Sequence, residues 1–106
     1  MSTIILPTKA ITSDIFIDFN FISMLAPGET IGAASVVSTV HSGVDPSPQA
    51  IVSGAATVVG PVVSQKIIDG LVGVIYLLTC TVTTSLSNTI VLQGYLAVLD
   101  NDPYQS

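Results

Sequence analysis

The stretch VGVIYLLTCTVTT at residues 72–84, the turn SLSN at 85–88 and the stretch TIVLQGYLAVL at 89–99 carry the strongest pattern in the chain. Val72, Val74, Tyr76, Leu78, Cys80 and Val82 fall on one face of an extended backbone, and beyond Leu77 the other face holds Thr79, Thr81 and Thr83. Leu92, Leu96 and Val98 then alternate with Val91, Gln93 and Tyr95. Two strands of matching length around a polar turn make a β-hairpin. Its alternation turns Cys80 inward, where a thiol behaves as a small hydrophobe. Tyr76 and Tyr95 either pair across the hairpin or bury a ring with the hydroxyl at the rim.

Composition extends this reading to the whole chain. Val, Ile and Thr supply about a third of the residues, stiff side chains suited to a pleated surface, whereas Glu, Lys and Arg are nearly absent. In Asp14 to Ile22, Ile15, Ile17, Phe19 and Phe21 share one face against Phe16, Asp18 and Asn20, the signature of a half-buried strand. Pro27 and Gly28 suit the central positions of a type II turn. Thr30 to Val40 reads as a strand, because Val36, Val37, Val40 and the interspersed Ser and Thr disfavour the rival short helix. Ser42 to Pro48 is a loop, dense in Gly, Asp and Pro. Ala50 to Ser53 reads as a strand closed by Gly54. Ala56 to Ile68 is an edge strand or two short pieces, since Pro61 lacks a ladder donor. Asp69 and Gly70 mark a tight turn.

Six or seven strands with turns about every ten residues predict an all-β fold, an antiparallel β-sandwich of immunoglobulin-like type, with a jelly roll or small barrel as alternatives. The chain has no Trp and one Cys, so the Cys, Trp, Cys framework of antibody domains is absent. The length suits one domain at 14–99, preceded by an N-terminal arm at 1–13 and followed by an acidic tail at 100–106.

Charge narrows the function. Only 8 % of the residues are charged and 49 % are hydrophobic, against about a quarter charged in an ordinary soluble domain. Such a surface suits packing against neighbouring chains, because Thr, Ser, Gln and Asn hydrogen-bond without the desolvation cost of a charge. Two cations, Lys9 and Lys66, cannot neutralise a run of phosphates, so neither nucleic acid nor anionic lipid is an expected partner. The opening MSTIILPTKAITSD lacks a basic n-region and Pro7 interrupts its apolar run, so no signal peptide is expected. No apolar stretch approaches the roughly 20 residues of a spanning helix.

Chemistry is not written into the residues either. His41, Ser42 and Asp45 lie too close along a β chain to converge as a nucleophile, base and carboxylate. Asp14 and Asp18 stand about 13 Å apart on a strand, too far to share a proton or a cation. Asp100, Asn101 and Asp102 lack the EF-hand spacing, and the glycines form no phosphate cradle. One His and one Cys give no zinc spacing. The expectation is a non-enzymatic protein with no catalytic, cofactor or metal residues.

Tyr76, Leu78, Cys80, Val82, Thr83, Thr84 and Ser85, then Thr89 and the closing Tyr95 to Val98, resemble the last two strands of small immunoglobulin-like virion proteins of tailed bacteriophages. Upstream, Asp18, Phe19, Leu25, Gly28, Glu29, Thr30 and Ile31 fill, in order, the family's aspartate and aromatic strand end, its leucine, its glycine-acid turn and its threonine-isoleucine strand start. The similarity spans residues 13 to 99. The family usually carries tryptophan where this chain has Phe19, and glycine where it has Ser87 and Asn88.

The resemblance implies a structural protein at the neck, head-tail junction, fibre attachment or capsid surface of a virion assembled in the host cytoplasm. Its partners would be portal, connector, tail, fibre or capsid subunits, and further copies of itself. The competing reading is a carbohydrate-binding or adhesin module using the loop Ser42 to Gln49, in which there is no aromatic residue.

Overall fold

The computed structural model describes residues 2–5, 9–10 and 14–99. Strands β1 (Ser2–Ile5), β2 (Lys9–Ala10), β3 (Ile15–Asn20), β4 (Ile31–Ser42), β5 (Val52–Val59), β6 (Val62–Ile67), β7 (Ile75–Thr84) and β8 (Thr89–Leu99) form two sheets. One runs β4, β7, β8 antiparallel, with β1 and β2 added in parallel along β8; the other is antiparallel in the order β3, β6, β5. This is the strand order of an immunoglobulin-like sandwich, with the N-terminal segments lying against the last strand. Among the described residues no helix is long and apolar enough to cross a membrane. The expected acidic tail lies outside the described residues. The N-terminal segments expected as an arm pair with β8 at Ser2↔Leu92 through Ile5↔Tyr95 and again at Lys9↔Val98.

The inner faces meet as the period-2 pattern requires. Ile17 and Phe19 of β3, Val63 and Ile67 of β6, Tyr76, Leu78, Cys80 and Val82 of β7, and Leu92, Leu96 and Val98 of β8 are all buried in one cluster. Burial pushes the Cys80 thiol up to about 12. A thiol both buried and protonated is inert, so native protein at pH 8 is expected to leave Ellman's reagent unreacted. One thiol per chain should appear on adding denaturant, and fast native labelling would contradict this packing.

Two expectations need correction, and one pair of alternatives is decided. Ala50 to Ser53 is not a strand closed by Gly54: Pro48–Ile51 is a 3₁₀ turn, and β5 runs through Gly54 to Val59. The pairing with β6 slips between Ser53 and Thr57, and Gly54 has φ +71°, so the glycine makes a bulge. Buried Gln65 fills that bulge, its Nε2 donating to the carbonyls of Ser53 and Gly54 at 2.9 and 3.2 Å. Val72 is 46 % exposed in the turn before β7 rather than part of its inner face. Tyr76 and Tyr95 do not pair, because Tyr76 stands opposite Leu96 and Tyr95 opposite Leu77, on opposite faces of the sheet. The Gly60 to Pro61 region does divide Ala56 to Ile68 into two pieces, joined as the hairpin of β5 and β6.

The middle of β4's free edge is capped by a side chain. Gln49 accepts from the Ser38 amide at 2.8 Å and donates to the Val36 carbonyl at 3.3 Å, taking the place of a neighbouring peptide.

Candidate functional site

Two surfaces stand out, a tip and a charge-free sheet face. The tip is built by the connections from β3 to β4, β5 to β6 and β7 to β8. Asn20 starts it, its Oδ1 accepting from the Ile22 amide at 3.0 Å and so turning the chain out of β3. The Ala26 to Glu29 turn closes with Glu29 N donating to Ala26 O at 2.9 Å, and Gly28 supplies φ +82°.

That turn buries the Glu29 carboxylate. Oε1 accepts from the Ala26 amide at 2.9 Å; Oε2 accepts from the Thr84 hydroxyl and from Asn88 Nδ2, the latter at 3.0 Å. The Thr84 hydroxyl first, then the Ala26 and Asn88 donors, hold its pKa below the ordinary carboxylate value. Ser85 N donates to Thr30 O at 2.8 Å and Thr30 N to Ser85 Oγ at 3.0 Å, while Phe21 N reaches Pro61 O at 2.9 Å. All three connections are locked together, and the locking group offers no free charge outward.

What the tip offers is apolar. A cavity of about 320 Å³ opens between Ile22, Leu25, Pro27, Gly60 and Pro61, with Glu29 and Thr30 also in its wall. Ile22, Val59 and Leu86 are 62, 68 and 60 % exposed on the same three connections. By contrast Asp14, Asp45, Lys66 and Asp69 sit at the other end of the sandwich, before β3, after β4, late in β6 and after β6. Asp18 lies midway along β3. The two ends therefore present different chemistry.

The outer face of the larger sheet joins Ala33, Ser35, Val37 and Thr39 of β4 with Ile75, Leu77, Thr79, Thr81 and Thr83 of β7 and Thr89, Val91, Gln93, Tyr95 and Ala97 of β8. Among the described residues of these three strands there is no Asp, Glu, Lys or Arg. Gln93 Nε2 donates to Thr79 Oγ1 at 3.0 Å across the central pair.

The residues weighed for catalysis go separate ways. His41 lies exposed on that outer face with its ring 4.4 Å from Tyr95, and Ser42 is exposed at the end of β4. Asp45 turns inward, accepting from the Tyr76 hydroxyl at 2.6 Å and from the Ser47 amide at 2.8 Å. Asp14 and Asp18 are exposed. Among the described residues no three His, Cys, Asp or Glu side chains gather as a metal site would need. Sequence reasoning missed Glu29, Gln49 and Gln65 as organising groups. Gln65 left a signal, a polar residue at an inward position between Val63 and Ile67; Glu29 left none, because its partners lie 55 and 59 residues away.

Residues 9–95 match the family model described as podophage GP4 fiber-tail adaptor protein gp77. No curated protein matches the chain.

Proposed function

We propose that this chain, which belongs to the podophage GP4 fiber-tail adaptor family, sits between tail and fibre and joins them by packing alone. The family is one of phage virion structural proteins, and its fibre-tail description favours that station over the neck, head-tail junction or capsid surface. The observation that carries the reading is the difference between the two ends: exposed Ile22, Val59 and Leu86 around a tip whose single carboxylate is held by three donors, and Asp14, Asp45, Lys66 and Asp69 at the other. A linker between two proteins needs two chemically distinct contact surfaces, and the rigid sandwich holds these apart. Locked loops lose little freedom on binding, so more of the apolar contact appears as affinity. No step of this role needs a nucleophile, a base or a metal.

The test uses particles assembled without the chain. Added wild-type protein is expected to bind them and restore fibre occupancy, counted by electron microscopy. Leu86→Asp places a charge at the exposed tip and is expected to bind at least about tenfold more weakly with unchanged thermal unfolding. Particles that carry a full set of fibres without the chain would overturn the reading.

A further inference from the structure

The outer face of β4, β7 and β8 is the side of the larger sheet turned away from the core. We propose that this face packs against the same face of a second copy of the chain, in a two-fold dimer of sandwiches.

Shape, charge and area each favour that occupant. Side chains of β-branched and small residues, here Val37, Thr79, Thr81 and Val91, make a surface of even height that another sheet covers at about 10 Å spacing. The chain carries a formal net charge of −5, so two copies repel through most of their surfaces. This face holds none of that charge, and copies approach across it at the least electrostatic cost.

One polar contact at its centre is already made. Gln93 donates to Thr79, so covering the pair leaves that amide hydrogen and hydroxyl oxygen bonded. Thr79 lies near the middle of β7, the strand flanked on both sides, and a two-fold axis beside it brings Thr79 opposite its own copy.

Three strands at about 4.8 Å spacing and about ten residues at 3.4 Å rise give roughly 480 Å² of flat area per copy. The pair thus covers about 1,000 Å², at the lower limit for a specific interface, so the dimer is a weak, reversible one. This proposal does not rest on the adaptor reading.

Sedimentation equilibrium of the purified full chain tests it. The mass is expected to rise from 10.9 kDa toward twice that value as loading increases. Thr79→Lys sets two like charges against each other at the axis and should weaken association at least about tenfold. Val37→Lys, beside it on β4, should do the same should Thr79→Lys fail to fold. Thr57→Lys makes the same charge change on exposed β5 and should associate as wild type. A wild-type chain monomeric at the highest loading overturns the proposal, and so does equal weakening by Thr57→Lys and Thr79→Lys. A monomer whose Thr79→Lys variant instead fails to bind particles overturns it too, and assigns the face to another virion protein. A dimer that leaves fibre occupancy unchanged counts against the adaptor reading alone.

Discussion

Tyr76→Phe is expected to unfold about 10 °C below the wild-type chain, a loss of about 2 kcal/mol for a domain of this size. The ring stays buried and its packing is retained; only the hydroxyl goes. That hydroxyl donates to Asp45 Oδ2 at 2.6 Å and accepts from the Leu71 amide at 2.9 Å. Asp45 lies in the connection from β4 to β5 and Leu71 in that from β6 to β7, so one oxygen ties together two crossings between the sheets. The bond back to an upstream amide at the start of the penultimate strand is the tyrosine corner of immunoglobulin-like folds.

Removing it strands a carboxylate oxygen and an amide, and bonds to charged groups contribute about 1.5–3 kcal/mol. Tyr95→Phe, on the outer face, should change stability by less than about 0.5 kcal/mol. Thermal unfolding of the two variants decides the point, and equal losses would remove the corner from the explanation of the fold.

The same site gives the chain an alkaline limit. Burial first, then the bond to Asp45, push the Tyr76 hydroxyl up to about 12, and burial does the same to the Cys80 thiol. Both groups keep their protons in the folded state at pH values where the unfolded chain has released them. Stability therefore falls as pH rises above the unfolded values near 9 and 10, and this decline ends only past about 12. Denaturant midpoints between pH 8 and 12 should slope downward, less steeply in Tyr76→Phe.

What the sequence discloses about this fold follows from what period-2 patterning can and cannot encode. β7, β8 and β3 bury one face and expose the other, so alternation places Phe19, Leu78 and Leu96 correctly. β5 has little buried on either side, and its bulge at Gly54 breaks the period, so it reads as two elements when it is one. The pairing of β1 and β2 with β8 joins residues about ninety positions apart, beyond the reach of local pattern.

The tip was legible only as turns. Pro27 and Gly28 announce a turn, but nothing near them shows that Thr84 and Asn88 will come to meet Glu29. The charge-free outer face, by contrast, was visible in the composition itself. Thr79, Thr81 and Thr83 fall opposite the core-facing residues of β7, and the chain has few charges to put anywhere.

Glu29→Gln is expected to remove most of the chain's dependence on acid at the tip. The wild-type carboxylate is favoured by three donors, so its folded pKa lies below the ordinary 4.5. Its stabilising effect is then complete above that value and is lost as pH falls through the lower, folded one. In Glu29→Gln one oxygen still accepts from the Ala26 amide, but the other becomes an NH₂ that meets Asn88 Nδ2 donor to donor. The variant is thus less stable than wild type at pH 7, and the gap closes as pH drops below 4.5.

Denaturant unfolding of both proteins from pH 7 to pH 3 measures the gap, and one that stays constant across that range would refute the assignment. A second readout follows from the loops. Ile22 and Leu86 are held by the connections that Glu29 locks, so loosening them makes any partner at the tip bear the entropy of ordering. Glu29→Gln should therefore weaken binding to particles assembled without the chain, although its side chain is only 8 % exposed. Weakening at pH 7 that fades as the pH drops below 4.5 would tie the buried carboxylate to the working surface.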